Sequence, residues 1–191
     1  MSIKRLSGAG LTTPKSNKLW DQITFPGTME AIATTVVPSA GASSITFSGI
    51  TQEYKDLKVI MRSSTGAEIN NRLEFNGDTT VSSYYSFGGE GNGSTAYAVA
   101  FANTNLIGYD NSTGSTDFCH SIIDILDYSV GTKRKVAYTR SGFERTGPAG
   151  TTGWYGLIWS ASTNAITQIT IKPTSGNFKQ YSHFALYGIR G

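Results

Sequence analysis

From Met29 onward, short runs rich in β-branched and aromatic residues recur about every 10–15 residues, with no amphipathic helical pattern between them. Such spacing confines the chain to a β-sandwich or a barrel. The plainest run is Tyr54–Arg62, where Leu57, Val59 and Met61 alternate with Lys58, Ile60 and Arg62. A period of two marks a strand with one buried face. Further runs cover 31–37, 43–47, 72–75, 95–101, 118–128, 133–143, 154–160, 166–171 and 184–187. The short turn at Gly131 predicts an antiparallel hairpin between 118–128 and 133–143, and Asn76-Gly77 predicts a tight turn, because both residues adopt positive φ cheaply. Residues 79–94 read as a polar loop carrying Tyr84, Tyr85 and Phe87 and ending in the glycine-rich stretch 88–93; a second polar loop is expected at 110–117. Connections of that length suit a jelly roll better than an up-and-down barrel. The expected fold is therefore all-β: a jelly-roll β-sandwich of about eight core strands over residues 29–191, preceded by an extended N-terminal arm, residues 1–28.

The arm has no regular period and holds Gly8, Gly10, Pro14, Pro26 and Gly27. Charged residues are only 15% of the 191 and the net charge is +3, but their placement is uneven. Lys4, Arg5, Lys15 and Lys18 all precede the first acid, Asp21, whereas the body is near neutral. Four cations spread so thinly are a weak signal for nucleic acid. The arm instead reads as an attachment segment for a partner protein, with those four cations and the rings of Trp20 and Phe25 as its contacts. A single cysteine, Cys119, rules out an internal disulfide and fits folding in a reducing cytoplasm. No apolar run approaches a membrane span, and no secretory signal is expected.

Residues fit for catalysis are sparse. His120 and His183 are the only histidines. On a strand His120 and Ser121 point to opposite faces, so they do not form the nucleophile–base pair of a triad. Asp124 and Asp127, three apart, also point apart, which argues against the paired carboxylates of a glycosidase. An inward Asp is expected to pair with a base such as Arg140. Cys119-His120 is not a tetrahedral metal set, Asn76-Gly-Asp78 is not a calcium loop, and 88–93 opens no helix that would cradle phosphate. No catalytic residue, metal or cofactor is expected.

Two ring clusters are better candidates. Tyr155, Leu157 and Trp159 share one strand face, and Trp154 and Ile158 the other. Tyr84, Tyr85, Phe87, Trp154, Tyr155 and Trp159 are the candidate contacts for a partner subunit or for glycans, since exposed rings stack on either.

An ordered set of short motifs adds to this. It runs Ser44-Ile-Thr-Phe-Ser-Gly-Ile50, Tyr54-Lys-Asp-Leu57, Phe75-Asn-Gly-Asp78, Tyr84-Tyr85, Ile123-Asp-Ile-Leu-Asp-Tyr128, Lys133-Arg-Lys135, Gly156-Leu-Ile-Trp159, Ala165-Ile-Thr-Gln-Ile169, Gly176-Asn-Phe178 and Phe184-Ala-Leu-Tyr-Gly-Ile189. This set resembles structural, decoration and fibre proteins of tailed-bacteriophage virions, especially those of marine and cyanobacterial phages. It covers residues 44–190 and excludes the arm. The motifs are turns and core patterns, so the resemblance implies a structural part of a virion made in the bacterial cytoplasm. The short chain without a shaft repeat points further to a capsid decoration, cement or head-fibre protein. A homotrimer is expected, because jelly rolls with open sheet edges gain by associating about a symmetry axis, with the arm holding it to the major capsid protein or another virion protein. The second expectation is a tail-fibre tip that recognises host surface glycans. A small glycan hydrolase ranks last.

Overall fold

The computed structural model describes residues 29–111, 117–144 and 150–190; the expected arm and its contact residues lie outside them. Twelve strands follow one another: β1 (Met29–Val36), β2 (Ile45–Ser48), β3 (Asp56–Ser63), β4 (Glu68–Phe75), β5 (Tyr84–Gly91), β6 (Ala96–Ala102), β7 (Leu106–Asn111), β8 (Cys119–Leu126), β9 (Lys135–Glu144), β10 (Gly150–Trp159), β11 (Gln168–Pro173) and β12 (His183–Ile189). They form an eight-stranded sheet of order β1-β12-β3-β8-β9-β10-β5-β6 and a four-stranded sheet of order β2-β11-β4-β7, every pairing antiparallel.

The order defines the fold. The quartets β1-β12-β3-β8 and β2-β11-β4-β7 are the two sheets of a jelly roll, because the chain switches sheet at every step of this set except from β4 to β7, which pair within the small sheet. The other four strands are insertions. β5–β6 interrupts the passage from β4 to β7, and β9–β10 that from β8 to β11. Both pairs add beyond β8, doubling the width of one sheet only. The body is thus the expected all-β sandwich, with one broad wing.

Strand β3 shows why these residues pack as they do. Leu57, Val59 and Met61 are buried while Lys58, Ile60 and Arg62 are not. Ile123 and Ile125 of β8, Leu73 and Phe75 of β4, Ile169 and Ile171 of β11, and Phe184 and Leu186 of β12 meet them between the sheets. Each such side chain contributes roughly 1.5–3 kcal/mol by leaving water. The expected hairpin is present, with β8 and β9 paired from Cys119↔Phe143 to Leu126↔Val136.

Two expectations are corrected. Residues 79–94 are not a polar loop: a single 3-10 turn, Val81–Ser83, leads straight into β5, which includes most of the glycine-rich stretch. Glycine is needed there because neighbours crowd its backbone. A Cβ at Gly88 would lie 2.2 Å from the Trp154 carbonyl oxygen. The segment Leu106–Asn111, partly assigned to loop, is β7. The Asn76-Gly77 turn is as expected, with φ of 51° and 74° and an Asp78 N–H to Phe75 carbonyl bond of 2.9 Å. It does not make a hairpin, however, since β4 and β5 belong to different sheets.

Candidate contact surface

The wing carries rings on the side facing away from the small sheet. On β5, Tyr84 and Ser86 are buried while Tyr85 and Phe87 are exposed. On β10, Tyr155, Leu157 and Trp159 are buried while Trp154 is 53% exposed. Register places Trp154 opposite Gly89, Gly156 opposite Phe87 and Ile158 opposite Tyr85. Trp154 and Phe87 therefore each lean over a glycine, whereas Tyr85 faces Ile158. A Cβ at Gly89 would stand 3.0 Å from the indole Nε1 of Trp154, and one at Gly156 would stand 2.7 Å from Cζ of Phe87. Phe87 and Trp154 meet edge to face at 6.4 Å. Tyr138 of β9 and Leu126 of β8 are also exposed, and the register of β8, β9 and β10 carries them onto the same face.

Of the six candidate rings, the structure therefore gathers Tyr85, Phe87 and Trp154 on one accessible face. It removes Tyr84, Tyr155 and Trp159, which point between the sheets. The correction has a polar cause. Tyr84 Oη accepts the Phe75 N–H at 3.0 Å and donates to the Asp78 carbonyl at 2.9 Å. Burial pushes its hydroxyl well above the ordinary tyrosine range, so it stays a donor. Trp159 donates from Nε1 to Asp78 Oδ2 at 2.8 Å and packs 5.8 Å from Phe75. Reading 79–94 as a loop grouped Tyr84 with Tyr85; they lie on β5, and adjacent residues on a strand necessarily part.

Asp124 does pair with Arg140, at 3.1 Å, and also with Lys58 at 2.5 Å. It is not an inward carboxylate, because β8 buries Ile123 and Ile125 and leaves Asp124 on the outer face. Asp127 lies in the turn after β8, at φ 47°, and meets Lys133 at 3.1 Å. The two acids thus have separate partners. His120 is exposed and Ser121 buried, on opposite faces as expected. Arg62, opposite His120 in register, lies 3.5 Å over the Phe118 ring. Among the described residues no three of His, Cys, Asp and Glu approach as a metal set would, and no helix is long and apolar enough to cross a membrane.

Two open depressions adjoin the rings. One, of about 540 Å³, has Gly89, Gly91, Ala96 and Ala98 along it, with Trp154 as a wall. The other, of about 650 Å³, shares Gly91 and Thr152 and reaches Phe118 and His120. Together they form a shallow trough with small residues along its floor.

One residue had no functional signal in the sequence. Lys135 is fully buried, and its ammonium donates to the carbonyls of Val130, of Lys133 at 2.7 Å and of Thr163 at 3.1 Å. It ties the β8–β9 turn to the loop before β11, beneath the surface.

No protein-family model matches the chain, and no curated protein or solved structure matches it either.

Proposed function

We propose that this protein is a non-enzymatic structural component of a phage virion, a capsid decoration, cement or head-fibre protein. Its jelly roll forms a rigid body, and residues 1–28 attach that body to the major capsid protein or another virion protein. The observation that carries this reading is the eight-stranded sheet itself. Two inserted hairpins widen it, and its outer face leaves Tyr85, Phe87, Trp154, Tyr138 and Leu126 exposed rather than covered. A broad rigid face bearing rings suits contact with a protein more than turnover of a substrate. The motif resemblance over residues 44–190 supports the same role and a place in the virion. Copies associate with one another; a homotrimer is the form expected from the sequence. Co-sedimentation tests the reading. The full chain is expected to pellet with virions stripped of it, and a chain lacking residues 1–28 to stay in the supernatant. Equal binding by the truncated chain would overturn the role of the arm.

The second reading is a tail-fibre tip that recognises host glycans. The trough beside Trp154 favours it, since an indole over a small-residue floor can stack on a sugar ring. Glycan-array binding that is lost in Trp154→Ala, with no particle binding, would favour this reading over the first.

A further inference from the structure

Four strands leave the sheets with an open edge: β1 and β6 on the large sheet, β2 and β7 on the small one. An open edge presents a row of unpaired backbone groups, and soluble proteins blunt it with short length, bulges, charges or proline. Three of the four edges are blunted. β1 shifts register between Ala31 and Ala33 and carries Glu30, paired with Arg190 at 2.8 Å. β2 is four residues long. β7 meets β4 across a register shift at Asn71/Arg72 and carries Asp110. β6 has none of these devices. It is seven residues, Ala96-Tyr-Ala-Val-Ala-Phe-Ala102, with no charge and no proline, and it pairs with β5 from one end to the other without a shift. Among the described residues no strand other than β5 pairs with it. Every second residue of β6 therefore turns its N–H and C=O outward from the sheet.

The order of residues in β6 states what fits that edge. Apart from the exchange of Tyr97 and Phe101, the strand reads alike in both directions. A contact between identical surfaces about a two-fold axis needs residue i to meet j and j to meet i. Antiparallel pairing centred on Val99 does this. Val99 opposes Val99, Ala98 opposes Ala100, Tyr97 opposes Phe101, and Ala96 opposes Ala102, so small positions meet small and ring positions meet ring. A partner with an unrelated strand would have no reason to require this symmetry.

We propose that the β6 edge is a self-association surface, and that a second copy pairs with it antiparallel about a two-fold axis at Val99. Two eight-stranded sheets then become one, and the faces bearing Tyr85, Phe87 and Trp154 join across the seam. The contact replaces the homotrimer expected from the sequence with a two-fold dimer, but stands apart from the attachment to virions, since a dimer that ignores virions would leave one intact and defeat the other.

Native mass spectrometry of the full chain, together with cysteine cross-linking, tests the proposal. The expected species is a dimer. Val99→Cys places two thiols directly opposite, at Cα spacings of about 4.5–5.5 Å, within disulfide reach. Most of the oxidised protein is expected to run as a covalent dimer. Ala96→Cys separates its two copies by roughly 20 Å along the seam, and is expected to stay monomeric on the same gel. Cys119 is fully buried and does not contribute. Ala98→Lys with Ala100→Lys sets like charges opposite one another and is expected to yield monomers with an unchanged circular-dichroism spectrum. A monomeric or trimeric parent, or equal cross-linking at positions 96 and 99, overturns the proposal. So does a β6 edge that pairs with a different protein while copies of this chain stay apart.

Discussion

The ring of Tyr54 lies flat on the backbone of Gly188. A methyl group on Gly188 would sit 2.3 Å from Cγ of that ring and 2.4 Å from both Cδ atoms. The loop before β3 is thereby seated on β12, with the Arg190 guanidinium 5.0 Å from the ring. Tyr54 is only 8% exposed and its backbone N–H donates to Tyr128 Oη at 3.3 Å, so the ring has little room to withdraw. Gly188→Ala is expected to cost about 2 kcal/mol as the ring is displaced. Urea unfolding measures it, and an unchanged midpoint would show that the ring moves freely.

Asp78 joins the Asn-Gly turn to the core. Burial pushes its carboxyl up, but hydrogen bonds from the Trp159 indole, from Thr80 and from Ser83 outweigh that and hold it below the ordinary value of 3.8. The folded state therefore binds a proton more weakly than the unfolded chain. Its contribution to stability is full above 3.8 and is lost as pH falls through the lower folded value. Asp78→Asn is expected to flatten this acid limb. Wild type should lose more of its urea midpoint than the variant between neutral pH and about pH 3; parallel curves would refute the assignment.

Lys135→Met should be costly even though it replaces a buried charge with an apolar chain of similar length. Three carbonyls, of Val130, Lys133 and Thr163, lose their shared donor. Burial pulls the ammonium below its usual 10.5, yet it still donates to all three oxygens. A loss of about 2–4 kcal/mol is expected, because each buried acceptor left unsatisfied costs about 1–3. Hydrogen exchange should rise first at residues 127–134 and around Thr163. Exchange that rises uniformly would place the effect elsewhere.

Two buried tyrosines should respond oppositely to loss of the hydroxyl. Tyr155 Oη is buried without a hydrogen-bond partner among the described residues. Tyr155→Phe should change stability by no more than about 0.5 kcal/mol, or raise it. Tyr84 Oη serves both the Phe75 N–H and the Asp78 carbonyl. Tyr84→Phe should cost about 1–2 kcal/mol. Thermal melts of the pair decide the point, and equal losses would mean that Tyr155 has found a partner, such as water.

Much of the body was legible because burial on one face writes a period of two into a strand. Leu57, Val59 and Met61, and equally Ile123 and Ile125, showed that period openly. β5 was hidden for a local reason. Gly88 and Gly89 read as loop residues, yet they are glycine so that the Trp154 carbonyl and indole can lie against a strand. Half of the candidate rings were misplaced for a different reason. Sequence groups Tyr84 with Tyr85 by adjacency, whereas the pleat sends one to the core and the other to solvent.

By itself the sequence determined the class of fold, the hairpin of β8 and β9, the turn at Asn76-Gly77 and the lack of an internal disulfide, all set by periodicity, φ preference or residue count. Only the tertiary structure decided which strands became neighbours. That choice put β6 on an open edge, added Lys58 to the Arg140 partner of Asp124, and spread Tyr85, Phe87 and Trp154 across one face. Pairing between strands distant in the chain depends on how the two sheets cover one another, and no local run of residues records that.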